Sequence, residues 1–328
     1  MKKTILLSIL VVVVQLAVGV STAAQQPARI LRIGILVTGS ASYYSARVES
    51  FRRRLRELGY VEGKNIVIEY RYAEGKLDRL PDLAAELVRL KVDVIVTSGS
   101  PGILAAKKSS ATISIVFSGI GDPVGSGIVS SLARPGGNIT GLSLMAPDLD
   151  GKRLELLKEA FPKVARVAFL WGSGGTRGNL PLTDMEAVAN ALGLKLQSLP
   201  VRSLEDFESA FARAKREGAQ ALITTPSSLV STQQRQVLDF AAKNRLPAMY
   251  PESEFVEAGG LMSYAPNITD HWRRVADFVD KILKGTKPAE IPVEQPMKFE
   301  FIVNLKAAKQ IGVTIPPNVL VRADKVIR

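Results

Sequence analysis

Glycine and small hydroxyl residues gather at three places in the first half of the chain: Thr38-Gly39-Ser40, Ser98-Gly99-Ser100-Pro101-Gly102 and Ser118-Gly119-Ile120-Gly121-Asp122-Pro123. Each follows a continuous apolar run and leads into a helix or turn pattern. Glycine lets the backbone come close to a ligand. N–H groups at a helix start, with serine hydroxyls beside them, suit a carboxylate or another anion. The same residue types also make ordinary caps and turns; it is their recurrence at corresponding places that points to a binding edge. The second half offers Trp171-Gly172-Ser173-Gly174-Gly175, Thr225-Pro226-Ser227-Ser228 and Tyr250-Pro251-Glu252. Asp122 and Glu252 suit either a ligand ammonium or the cap of a turn, and Trp171 either a core position or the wall of a pocket. Tyr43, Ser263 and Tyr264 complete the expected ligand-facing set. Hydroxyls and N–H groups for a carboxylate, a side-chain carboxylate for an ammonium and aromatic faces for a tail describe a site for a small zwitterion such as an amino acid.

Catalytic chemistry is poorly supplied. The chain has no cysteine and one histidine, His271, which removes thiol nucleophiles, thiolate-held clusters and multi-histidine metal sites. His271 sits in Thr269-Asp270-His271-Trp272 at a helix start and reads as a surface or cap residue; no serine stands in a Gly-x-Ser-x-Gly elbow. The expectation is no catalysis, no cofactor and no metal. Gly172, Gly174 and Gly178 resemble a dinucleotide fingerprint with one residue too many. They keep open an alternative: a secreted two-domain α/β enzyme acting on a nucleotide or sugar phosphate.

These loops need a scaffold that brings them to one edge. Apolar β-type runs at 31–37, 65–70, 92–97 and 113–117 alternate with helical patterns such as Leu80, Leu83, Ala84, Leu87 and Val88. A second such set stands at 165–171, 194–199, 220–224 and 246–249, and Thr183 with Glu186 reads as a capping box opening one of its helices. Lone strands are expected at 139–144, 260–264 and 299–303. Alternating β and α predicts an α/β fold: two Rossmann-like lobes with parallel sheets, joined by more than one crossing. Ligands of such sheets lie beyond the carboxyl ends of the strands, where the glycine and serine clusters stand. The expected lobes are 25–140 plus 262–286 and 141–261 plus 287–328.

The first 24 residues read as a signal peptide. Lys2 and Lys3 precede the apolar run 5–14, and Ser21-Thr22-Ala23-Ala24 supplies the small residues for cleavage near Ala23 or Ala24. The run is short of the ~18 residues of a membrane span. Without a cysteine to carry lipid, the mature protein is expected in a periplasm. The whole chain carries a formal charge of +12. Export argues against a nucleic-acid partner, and the arginines at 52–54 and 56 read as a solvated helix face backed by Val48, Phe51, Leu55 and Leu58.

Several stretches resemble the ABC-transporter substrate-binding proteins grouped with bacterial tryptophan- and phenylalanine-binding proteins. They include Arg32-Ile33-Gly34-Ile35-Leu36, Asp122-Pro123-Val124-Gly125-Ser126-Gly127-Ile128-Val129, the glycine-rich block at 131–141, Ala258-Gly259-Gly260-Leu261-Met262-Ser263-Tyr264 and Asn304-Leu305-Lys306-Ala307-Ala308. The resemblance spans essentially the whole mature chain. It implies a type I periplasmic-binding fold with three hinge crossings, a monomer that clamps a small-molecule solute, and a membrane permease as partner. It also makes the first-lobe loops and Asp122 ligand-facing. The chain departs from the family after the strand at 165–170, where an Asn-Pro turn is replaced by Trp171-Gly172-Ser173, so an aromatic amino acid does not follow automatically. Delivery to a sensor rather than a permease is equally compatible with the sequence.

Overall fold

The computed structural model describes residues 29–172 and 180–328. The chain runs β1 (Leu31–Val37), α1 (Ala41–Glu57), β2 (Ile66–Tyr72), α2 (Leu80–Arg89), β3 (Val94–Ser98), α3 (Gly99–Ser109), β4 (Ser114–Ile120) and β5 (Ile139–Ser143). It continues through α4 (Ala146–Ala160), β6 (Arg166–Gly172), α5 (Leu180–Ala191), β7 (Lys195–Val201), α6 (Asp206–Arg216), β8 (Ala221–Thr224), α7 (Ser228–Thr232), α8 (Gln234–Lys243), β9 (Ala248–Tyr250), α9 (Ser253–Glu257) and β10 (Met262–Pro266). It ends with α10 (Ile268–Leu283), β11 (Phe299–Asn304), α11 (Leu305–Ile311), α12 (Pro317–Leu320) and β12 (Lys325–Ile327).

Two sheets result. The first is parallel throughout, in the order β2-β1-β3-β4-β5; the second has the order β12-β11-β10-β9-β8-β6-β7, with the β10–β11 pair antiparallel. β1 explains why the runs are apolar end to end. Its Ile33, Ile35 and Val37 face α1 and α10, packing with Phe51, Trp272 and Phe278, while Leu36 faces the α2 and α3 side with Leu87 and Ile103. A strand covered on both faces cannot alternate polar residues.

The chain passes between the lobes three times: after β5, between β10 and α10, and between the segment at 288–294 and β11. These crossings differ from the expected boundaries. β5 pairs entirely with β4, so the first crossing follows Ser143 rather than residue 140. β10, assigned from its sequence to the first lobe, pairs with β9 and β11 in the second sheet. Segment 287–294, assigned to the second lobe, buries Ile291 and Val293 in the first-lobe cores, and the Thr140 hydroxyl donates to the Ile291 carbonyl at 2.7 Å. In each case backbone pairing, which a lone strand's composition does not reveal, decides membership. The expected capping box also fails: α5 starts at Leu180, so Thr183 lies inside it. α10 is capped by Asn267, whose side chain accepts from the Asp270 N–H at 2.9 Å.

The arginines of α1 form an ion-pair network rather than a simply solvated face. Arg52 pairs with Glu62 at 2.8 Å, Arg56 with Glu49 at 2.7 Å, and Arg54 with Asp277 of α10 at 2.8 Å. Arg273 returns the link from α10 to Glu57 at 2.8 Å. Exposed pairs add little singly; together they stitch the helices that cover one face of the first sheet.

Candidate functional site

A cavity of about 210 Å³ lies between the lobes at the carboxyl ends of their strands. That is below the ~300–1,000 Å³ of sites for drug-sized ligands and suits a compact metabolite. The first lobe supplies Ser98, Gly99 and Ser100 at the start of α3, Ser118, Gly119 and Asp122 after β4, and Tyr43 from α1. The second supplies Gly172, Thr225, Ser227 and Glu252. All of these belong to the set expected from sequence.

The first-lobe wall is built to receive an acceptor group. The leading N–H groups of α3 have no acceptor within the helix, and the Ser98 side chain does not cap them. Beside them β4 bulges between Ser118 and Ile120, with Gly119 at φ 81°, a conformation that favours glycine. Ser118 is 0% exposed and its Oγ has no hydrogen-bond partner in the protein although it lines the cavity. Uncapped helix N–H groups and an unpartnered hydroxyl converge on one spot with positive potential. Asp122 stands at the end of this wall, and its Oδ1 also accepts from the Gly125 N–H at 2.8 Å, closing the turn after it.

Other expected residues fall elsewhere. Thr38 and Gly39 are buried behind the cavity, and Ser40 caps α1 by accepting from the Tyr43 N–H at 3.2 Å. Trp171 is a core residue: it stacks on Phe169 at 6.2 Å and its Nε1 donates to Ser198 Oγ at 2.9 Å. Tyr250 stacks on Phe255 at 4.9 Å within the second-lobe core, and burial raises its phenol pKa. Ser263 is buried in β10, and Tyr264 stacks on Phe299 at 5.8 Å; neither lines the cavity. Side chains on a strand alternate faces, so a residue one step from the strand end turns into the core instead of the cleft. Ser173, Gly174, Gly175 and Gly178 lie outside the described residues, as does the expected signal peptide.

Several cavity residues were not anticipated. Trp272 and Ile268 come from the first turns of α10, where the tryptophan also packs on Tyr44 at 5.7 Å. Asp150 comes from α4 and is held by Arg153 at 2.6 Å. Arg47 comes from α1 and reaches across to the second lobe, its Nη2 lying 3.1 Å from Glu252 and 2.8 Å from Glu254. Glu252 also accepts from the Tyr43 hydroxyl at 2.7 Å and from Ser231 Oγ at 3.0 Å. Burial raises the Glu254 carboxyl pKa, but Arg47 outweighs it and holds the group below its ordinary value.

His271 is buried, not a surface or cap residue: it is 5% exposed, and neither ring nitrogen has a hydrogen-bond partner. Burial lowers its pKa to about 4, against the opposing pull of Asp270 and Glu294. The unfolded chain binds this proton near pH 6.5 and the folded chain only near 4. Stability therefore falls as pH drops through that window, by up to ~3 kcal/mol. Denaturant midpoints measured from pH 7 to pH 4 should show this slope in the wild type and lose most of it in His271→Leu. Parallel curves would contradict the assignment. Solute affinity should be unaffected, because His271 does not line the cavity.

Comparison with known proteins agrees with this arrangement. A family model described as ABC transporter substrate binding protein matches residues 32–327. A tyrosine-binding protein of Clostridioides difficile (strain R20291) is 24% identical over 264 residues, covering 80% of this chain and 75% of that protein. Among solved structures, a conserved domain protein of Vibrio cholerae is 26% identical with a TM-score of 0.85, covering 91% of this chain and 100% of the other. An ABC domain from Streptococcus pneumoniae in complex with L-Trp is 25% identical with a TM-score of 0.82, over 90% of this chain and 100% of the other. The family is one of solute-binding proteins, not enzymes, and the resemblance read from the sequence holds over nearly the whole chain. With its two α/β lobes, three crossings and interlobe cavity, the chain belongs to the ABC transporter substrate-binding protein family and has the type I periplasmic-binding fold.

Proposed function

We propose that this protein is the exported receptor of an ABC importer, periplasmic after cleavage near Ala23 or Ala24. It closes on an amino acid or similar zwitterion, presents it to a membrane permease and carries out no chemistry on it. The observation that carries the ligand class is the anion cradle of Ser98, Gly99, Ser100 and Ser118 at the uncapped start of α3. The ligand carboxylate sits there, and Asp122 at the end of the same wall takes the ammonium. Trp272, Tyr43, Ile120 and Leu144 face the ligand's apolar part. The relatives whose descriptions name tyrosine and L-Trp support an amino-acid ligand.

The test is to identify the solute retained by purified protein, by mass spectrometry after denaturation, and then to titrate it calorimetrically into variants. Charge-assisted hydrogen bonds contribute ~1.5–3 kcal/mol each. Ser118→Ala and Asp122→Ala should therefore each weaken binding roughly ten- to a hundredfold. Asp122→Ala with unchanged affinity and a lowered melting temperature would assign that carboxylate to its turn alone. A retained solute lacking a carboxylate would overturn the cradle.

A further inference from the structure

We propose that Arg47 and Glu254 are positioning residues for solute retention, forming a clasp that draws the lobes together over the cavity whether or not a solute is inside. The ion pairs of Arg47 cross from lobe to lobe, whereas Arg52, Arg54 and Arg56 of the same helix pair within the first lobe. The Arg47 guanidinium is 5% exposed. It lies 4.5 Å from the Tyr43 ring centroid and 5.3 Å from that of Tyr44, so both aromatic faces hold it in place before any partner arrives. Its Nε and Nη2 donate to one oxygen of Glu254 at 3.2 and 2.8 Å, and Nη2 also reaches Glu252 at 3.1 Å.

Glu252 is consumed by the clasp. One of its oxygens accepts from Arg47 and Tyr43, the other from Ser231. It is therefore a wall and fastening of the closed cleft, not the partner of a ligand ammonium. Gly99 marks how near the lobes come beside it: a Cβ there would lie 2.1 Å from Ser228 Oγ of the second lobe. The charges are desolvated only when the lobes meet, and in that setting a forked guanidinium on carboxylates is among the stronger polar contacts. Solute affinity scales with the fraction of molecules already closed, so the clasp sets affinity through Glu254, which lies off the cavity. That last consequence rests on the solute-binding reading; the clasp itself does not.

Glu254 does not line the cavity, so its substitution leaves every solute contact in place. The chain has no native cysteine, so one cysteine introduced on the exposed surface of each lobe takes a spin label cleanly. Without solute, the wild type should give a short interlobe distance at low ionic strength that lengthens in concentrated salt. Glu254→Gln should shift the population to the longer distance, and Glu254→Asp should restore part of it. Identical solute-free distances in wild type and Glu254→Gln would overturn the clasp. With L-tyrosine and L-tryptophan as probes, Glu254→Gln should raise the dissociation rate about tenfold, with the association rate little changed. A shift in distance with neither amino acid bound by the wild type would support the clasp and remove the probes' chemical class from the proposed function.

Discussion

Arg153→Ala should destabilise the protein by about 3–5 kcal/mol, the range for breaking a buried ion pair from one side. Arg153 projects from α4 into the base of the second lobe and is 1% exposed. Its Nη1 pairs with Asp150 at 2.6 Å, its Nε donates to the Tyr264 carbonyl at 2.7 Å, and its Nη2 points to the Pro251 carbonyl at 3.4 Å. Burial lowers its pKa, and Asp150 counters by stabilising the cation. Alanine would take the Arg153 cation away from the buried Asp150 carboxylate, leave the Tyr264 carbonyl without this donor, and open a void between α4 and the strand that leads to the second crossing. Urea denaturation reads the loss directly. The paired replacement Arg153→Met with Asp150→Leu should recover most of it, since removing both charges spares the desolvation cost. A midpoint unchanged in Arg153→Ala would mean that the pair contributes nothing.

Gly141→Ala should be almost as damaging, at or above the ~3 kcal/mol upper end of ordinary overpacking. Gly141 pairs with Phe117 across β4 and β5. A Cβ at this position would lie 2.1 Å from the Phe117 carbonyl oxygen and 2.7 Å from its nitrogen. Those atoms are strand backbone, so the clash can be relieved only by parting β5 from the sheet and disturbing the first crossing just beyond it. Thermal melting should show a large fall and a broadened transition. Gly151→Ala in the interior of α4 is the control. Its Cβ would meet Val188 at an ordinary 3.4 Å, and alanine is the better helix former by ~1 kcal/mol.

The fold was legible because strands buried on both faces have to be apolar along their length, as in β1 and β3, and the helices between them show a clear apolar stripe. The first-lobe edge of the cavity was legible because the bulge after Ser118 favours the glycine that stands there, with serines beside it. What the sequence hides is pairing over distance. Arg47 is one of several arginines in its neighbourhood, and nothing local separates the one that meets Glu254 from those that meet Glu62 or Asp277. Asp150 and Arg153 stand three residues apart on α4, and only the packing of the second lobe around them buries the pair. Trp171 shows the reverse error: its place at a strand end suggested the cleft, and the pleat turned it inward against Phe169.

The triple crossing also sets the order in which the protein can be completed. The first lobe's α1 and β1 present Tyr44, Phe51, Ile33 and Ile35 to a face that is covered by Trp272, Val275 and Phe278 of α10. The whole of 144–267, including β6 to β10 of the second lobe, is made before that cover exists. In a chain delivered from its N-terminus, the lobe that starts first keeps an apolar face open until α10 arrives, and the second lobe is completed after that by β11 and β12. Such a nascent chain offers a long-lived sticky surface to chaperones, and its slowest step is the return of a distant helix rather than the pairing of neighbouring strands.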